Sequence, residues 1–266
     1  MYPSHVRQPA VAGLFYPSNA DQLKDQVLHF VRTAAPHPNH AILRALIVPH
    51  AGYTYSGSVA GAAYHRLQQS SKSIRRILLL GPSHYSCFDG LAVSTAHFFR
   101  SPLGDVTVDR SAVAQTLEFP QVHMIEHAHS HEHCLEVQLP FLQCVLDSFT
   151  IVPLLVGVAT AASVAAVIQA LWSKDSLVLL STDLSHYLDD ASARRIDATT
   201  CRKIEQLNST QIGTHEACGA YALNGLLQAA QSQRLTVHTL DLGNSGDSTG
   251  NRQRVVGYGA WSLVAG

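Results

Sequence analysis

The sequence predicts an α/β fold in which one mainly parallel or mixed central sheet is covered by helices on both faces. Three observations lead there. Short, continuous apolar runs recur along the 266 residues and are separated by segments with helical spacing. Those runs do not alternate with polar residues, so the strands they form are buried on both faces. Three of them run directly into a loop that carries a histidine.

Taken in order, residues 19–33 carry Leu23, Val27, Phe30 and Val31 at helical spacing, with Ser18 as the expected N-cap. Residues 41–48 form an apolar strand ending in PHAGYTYSG, and 57–67 read as a helix of small residues. A second buried strand, 77–80, ends in GPSHYSCFDG. Residues 135–147 have helical spacing, 150–156 are strand-like and 164–172 helical. A third buried strand, 177–180, ends in STDLSHY. Helices are expected over 189–206 and 217–231, and the final 254–265 alternate as a strand. Residues 34–40 (AAPHPNH) read as an exposed loop. Repeats, low-complexity tracts and linkers are not evident, so a single domain over 1–266 is the simplest organisation.

Composition narrows the function. The chain is 46% hydrophobic and 14% charged, with a formal net charge of -1. That balance argues against nucleic acid, which is captured by a concentrated basic face. The N-terminal stretch is interrupted by Pro, Asp and Gln, unlike a signal-peptide core, and no apolar run approaches the roughly 18 residues that span a bilayer. A cytoplasmic protein without membrane contact is expected. The five cysteines, 87, 134, 144, 201 and 218, are odd in number and scattered, which reads as free thiols. Sixteen histidines against 18 Lys plus Arg suggest metal or proton-transfer chemistry, with position to decide.

Position favours one cleft. His50, His84 and His186 each follow an apolar strand, with Asp183 three residues before His186. Ligands of such sheets bind beyond the carboxyl ends of the strands. A single loop histidine would be unremarkable, but three such placements point to a shared site. The tract EHAHSHEHCLEVQLPF holds His127, His129, His131, Glu132, His133 and Glu136. Such a tract often binds metal weakly at a surface. Glu132 and Glu136 would share a helical face if the helix starts early; alternatively these acids only complement a helix dipole. The functional reading is stronger for Glu132 and His133 than for the rest. Cys218, in HEACGAYAL, is expected at a helix start, where the dipole lowers a thiol pKa and favours thiolate; a buried small hydrophobe is the ordinary alternative. GNSGDSTG (243–250) resembles a phosphate cradle without the P-loop lysine, and reads as a substrate loop or plain turn.

The segments RQPAVAGLFYPS, IVPHAGYTYSG, LLGPSHY, EHCLEVQLPF, STDLSHY, CGAYAL and GNSGDSTG occur in this order across nearly the whole chain. Together they resemble the Memo family, whose prokaryotic members are called AmmeMemoRadiSam system protein B. That family is similar in fold to LigB-type class III extradiol dioxygenases, which hold non-haem Fe(II) on two histidines and a carboxylate. The resemblance implies His50, His84 and Cys218 as metal ligands, a cysteine variant of the two-His-one-carboxylate arrangement. It implies His186 as an acid/base group, Asp183 as its orienter or a further ligand, and His133 as part of the cleft. The softer thiolate makes copper or zinc plausible beside Fe(II). The function expected is a metal-dependent, dioxygenase-like oxidoreductase acting on an unidentified small molecule. The alternative is a non-catalytic metal-binding or redox-sensing protein, and a Cys218/His186 hydrolase is a distant third. The family name further implies a functional link to AMMECR-type and radical-SAM proteins.

Overall fold

The computed structural model describes residues 5–36 and 41–266, so most of the expected loop 34–40 lies outside the described residues. A nine-stranded mixed sheet organises the chain. Its centre is four parallel strands in the spatial order Ile42–Val48, Ser176–Ser181, Arg76–Pro82, Thr150–Val156. Residues 45–48, 77–80 and 177–180 are all buried. Successive strand residues point to opposite faces, so both faces of this sheet are covered, as the unbroken apolar runs required. The helix Tyr53–Gln68 packs on one side with Ala20–Thr33 and Leu139–Val145, while Ala161–Leu171 and Ala220–Ser232 pack together over the central strands.

Antiparallel strands flank the parallel centre. Val255–Ala265 pairs with Thr236–Asn244 along one edge and, along the other, with Ile42–Val48 and at its start with His186–Leu188. Leu91–Val93 runs antiparallel to Thr150–Val156 and carries Val122–Met124 at the edge. A separate small sheet joins Val6–Arg7, Phe98–Ser101 and Gly104–Thr107. The short strands between residues 91 and 124, and Thr236–Asn244, carry no strong apolar run and were not expected from sequence.

Several local expectations need correction. Asn19, not Ser18, caps the first helix, its side chain accepting from the Gln22 N–H at 3.0 Å. The second helix starts at Tyr53, four residues early. The segment 135–147 is broken into a 3-10 turn, Glu136–Gln138, and the helix Leu139–Val145, with Pro140 admitted only in the first turn. No helix covers 132–136, so Glu132 and Glu136 do not share a helical face and point to different partners. The helix expected from residue 217 begins at Ala220, which leaves Cys218 before its N-cap, Gly219.

Candidate metal centre

The strand order explains why distant loops meet. Val48 is the register partner of Ser181, and Leu180 that of Leu80, so His50, Asp183 and His84 all leave the same edge of three adjacent parallel strands. Backbone bonds lock the first two loops together: Thr182 N–H donates to the Val48 carbonyl at 2.8 Å, and His50 N–H to Asp183 Oδ1 at 2.7 Å. The His84 loop is held by Glu132. Close approach there requires Gly81, because a Cβ at that position would fall 2.6 Å from Cys134 Sγ.

Hydrogen bonds set the histidine tautomers. Gln138 Nε2 donates to the Pro49 carbonyl and to Ser181 Oγ, both at 2.9 Å, while Ser181 O–H donates to the Cys134 carbonyl at 2.7 Å. The remaining Ser181 lone pair therefore accepts from His50 Nδ1–H at 3.0 Å, and His50 Nε2 keeps its lone pair. His84 Nδ1–H donates to Glu132 Oε1 at 2.8 Å, leaving its Nε2 free as well. Glu132 also accepts from the backbone N–H groups of His84 (2.7 Å), His133 (3.0 Å) and Cys134 (3.1 Å). Burial pushes this carboxyl up, but the His84 bonds and the backbone donors overcome it and hold the pKa at about 2. A carboxylate behind a histidine in this way fixes ring orientation and raises ligand basicity.

His133 completes the cluster. His50, His84 and His133 each offer a nitrogen, and these atoms lie within 4.8 Å of one another, a grouping able to hold a metal ion. The His84 and His133 rings stack at 4.7 Å, and His50 stands edge-on to both. His133 Nδ1 is buried without a hydrogen-bond partner among the described residues. Burial, with a smaller push from His84, lowers the His50 pKa to about 3; burial and His50 lower that of His133 to about 4. Both rings are neutral lone-pair donors at neutral pH, the form that binds metal.

Cys218 meets the site through His50 alone: its Sγ lies 3.3 Å from His50 Nε2, and the group of donors within 4.8 Å of one another consists of His50, His84 and His133 without it. The expected dipole-stabilised thiolate is not found. Burial and the neighbouring Asp183 raise the thiol pKa to about 12, so without an ion Cys218 is an S–H donating to His50. Gly219 makes the approach possible: its N–H donates to Thr182 Oγ1 at 2.9 Å, and a Cβ there would fall 2.8 Å from the Thr182 side chain. Asp183 is buried and its pKa raised by burial; its Oδ2 sits 4.0 Å from His50 Nε2. His186 lines the same cavity, but its Nδ1–H donates to the Leu184 carbonyl at 2.8 Å. That carbonyl, rather than Asp183 as expected, sets the His186 tautomer.

The rest of the histidine tract has other work. His129 is buried, with Nε2 bonded to the Ala92 carbonyl at 3.2 Å, and His127 and His131 do not line the cavity. Glu136 is fully buried and structural. It pairs with Arg7 and accepts from Ala10 N–H (2.7 Å), Val11 N–H (3.0 Å) and Tyr16 O–H (2.5 Å), pinning the N-terminal segment to the core. The segment 243–250 is a capped turn: Asn244 and Asp247 form a capping box on the short helix Ser245–Thr249.

The family signature described as Memo-like protein matches residues 7–262, nearly the whole chain. The chain belongs to the Memo-like family. A MEMO1 family protein of Aquifex aeolicus is 33% identical over 268 residues, covering 95% of this chain and 97% of that one. The MEMO1 family protein TV1383 of Thermoplasma volcanium is 32% identical, covering 98% of both chains. A crystal structure of the uncharacterized protein JW3007 from Escherichia coli K12 covers 82% of this chain and 99% of its own at a TM-score of 0.49 and 12% identity, too distant to bear on function.

In this Memo-like chain the histidines form the floor of an open cavity of about 760 Å³, a size suited to a small molecule. Its upper wall holds residues that sequence reasoning missed: Phe15, Tyr55, Tyr187, Tyr258 and Arg254. Phe15 packs on His133 at 4.8 Å. The motif context of Tyr55 and Tyr187, beside His50 and His186, and of Phe15, within RQPAVAGLFYPS, offered some signal. Arg254 carried none. No helix among the described residues is long and apolar enough to cross a membrane.

Proposed function

We propose that this protein is a metal-dependent oxidoreductase of dioxygenase-like type, with one ion, Fe(II) in the first instance, held by His50, His84 and Cys218. The observation that supports a metal here is the convergence of the His50, His84 and His133 nitrogens, with the His50 and His84 tautomers set for ligation, and Cys218 enters the reading through its 3.3 Å contact with His50 Nε2. The donor set of two imidazoles and a thiol suits Fe(II), with Cu and Zn as competitors of similar taste. Bound there, such an ion supplies Lewis acidity and redox chemistry toward dioxygen and substrate. Glu132 holds the His84 ring in place. His186, with Nδ1 committed to a backbone carbonyl, presents Nε2 as the proton carrier beside the substrate. The likeness of Memo proteins to LigB-type dioxygenases supports the same reaction class.

Cys218 and His133 compete for the third position, and proton release separates them. His50 and His133 are already neutral at pH 7, so a three-imidazole site takes up metal without losing a proton at higher pH. Ligation by Cys218 expels the thiol proton, so affinity should rise about tenfold per pH unit. Anaerobic metal titration between pH 7.5 and 9, with wild type and the His50→Ala, His84→Ala, Cys218→Ser and His133→Ala variants, tests this. A pH-independent affinity, or full loading of Cys218→Ser, would overturn the cysteine assignment. Loss of turnover with retained metal is expected for His186→Ala.

A further inference from the structure

The cavity wall beside His186 carries one cation, Arg254, with no carboxylate partner among the described residues. Arg254 differs in this from Arg252 and Arg194. Arg252 pairs with Asp190, and Arg194 with both Asp190 and Asp247. Arg254 instead lies over the Tyr187 ring, 4.5 Å from its centroid, and both residues line the cavity. Stacking on an aromatic face leaves the guanidinium edge, with its fork of donors, free.

The backbone is built to hold that pair. Arg254 immediately precedes the strand Val255–Ala265, and Tyr187 lies in the strand His186–Leu188 that pairs with it. The register slips between His186 and Leu188, a bulge centred on Tyr187. Tyr187 also has a φ of 61°, a left-handed conformation that costs a bulky residue strain. Bulges beside active sites re-aim a side chain. Here the bulge places the Tyr187 ring at the cavity, under Arg254 and 5.7 Å from the His186 ring.

We infer that Arg254, braced by Tyr187, anchors a carboxylate of the substrate, and that the substrate is a small planar organic acid, aromatic or conjugated. The aromatic residues Tyr55, Tyr187, Tyr258 and Phe15 line the cavity and suit a planar body between that anchor and the imidazoles. A monoanion fits better than a phosphate ester, because the wall offers one fixed cation and a phosphate carries about -1.5 to -2 charges at pH 7. This assignment rests on the reading of the cavity as the substrate chamber of the metal centre.

The test uses the full chain, metal-free and then Zn(II)-loaded, titrated with benzoate, benzamide and phenyl phosphate by ligand-observed NMR. Wild type, Arg254→Gln and Arg254→Lys are compared, and Zn(II) affinity is measured on the same samples. Wild type should bind benzoate about tenfold or more tightly than the neutral benzamide, and Arg254→Gln should abolish that preference while leaving Zn(II) affinity unchanged. Arg254→Lys, which keeps charge but not the fork or the stack, should fall between. Equal binding of benzoate and benzamide, or an unchanged preference in Arg254→Gln, would overturn the anchor. Tighter binding of phenyl phosphate than of benzoate would overturn the carboxylate class. If Zn(II) fails to bind while benzoate selectivity survives, the metal function fails and the anion site stands.

Discussion

Replacing Glu132 by Gln isolates the carboxylate that organises the histidine cluster. Glu132 is 2% exposed and accepts four hydrogen bonds, three of them from backbone N–H groups. Folding lowers its pKa from the ordinary glutamate value of 4.5 to about 2. A depression of that size is worth about 3 kcal/mol at neutral pH. Because the folded pKa is the lower one, this stabilisation is fully present above pH 4.5 and is lost as pH falls through about 2. Glutamine keeps the shape but not the charge, and its NH₂ must oppose either His84 N–H or the side of the three other donors. In chelator-treated protein, Glu132→Gln should therefore be about 3 kcal/mol less stable than wild type at pH 7, roughly 6 to 10 °C in Tm for a chain of this size. At pH 3 the gap should shrink to about 1 kcal/mol. Denaturant unfolding of both proteins at each pH measures it. A second consequence is a 10- to 100-fold weaker metal affinity in the variant. A stability gap that stays constant from pH 7 to 3, or no gap at all, would refute the electrostatic account of Glu132.

Two further outcomes follow from buried partners. Arg7→Met should cost about 3–5 kcal/mol by leaving the Glu136 carboxylate buried and unpaired, whereas Arg7→Met with Glu136→Leu should recover part of that loss; equal destabilisation of single and double variants would refute the pairing. In metal-free protein at pH 8, iodoacetamide should label exposed Cys87 well before Cys218, whose thiol is raised to about 12 by burial; mass spectrometry finding the two equally reactive would refute the neutral thiol.

Much of this protein was legible in its sequence, for local reasons. An unbroken apolar run such as ALIV or ILLLG has to be buried on two faces, so the central strands, and hence the α/β class, could be read directly. The residue after such a strand sits at the carboxyl end of the sheet, which is why His50, His84 and Asp183 could be named as candidates, and all three line one cavity. His133 and Glu132 were readable as candidates but not their parts, since their roles come from contact with His84, 48 residues or more away. The Thr236–Asn244 strand went unread because its polar alternation carries no strong burial signal.

Tertiary structure alone decided the rest. A strand's pattern records how deeply it is buried and not which strand lies beside it. Only the spatial order 42–48, 176–181, 76–82 puts three loops on one edge and brings Cys218 from 168 residues away to within 3.3 Å of His50. The same holds for Glu136, whose acidic side chain looked like helix-end decoration until Arg7, Ala10, Val11 and Tyr16 closed around it. It also holds for the thiol of Cys218, where local helix proximity argued for thiolate and burial next to Asp183 won, because desolvating a charge costs more than a nearby helix end returns. Arg254 became part of the cavity only through an antiparallel pairing and a bulge at Tyr187, neither of which has a sequence signature, since register is a property of two strands together.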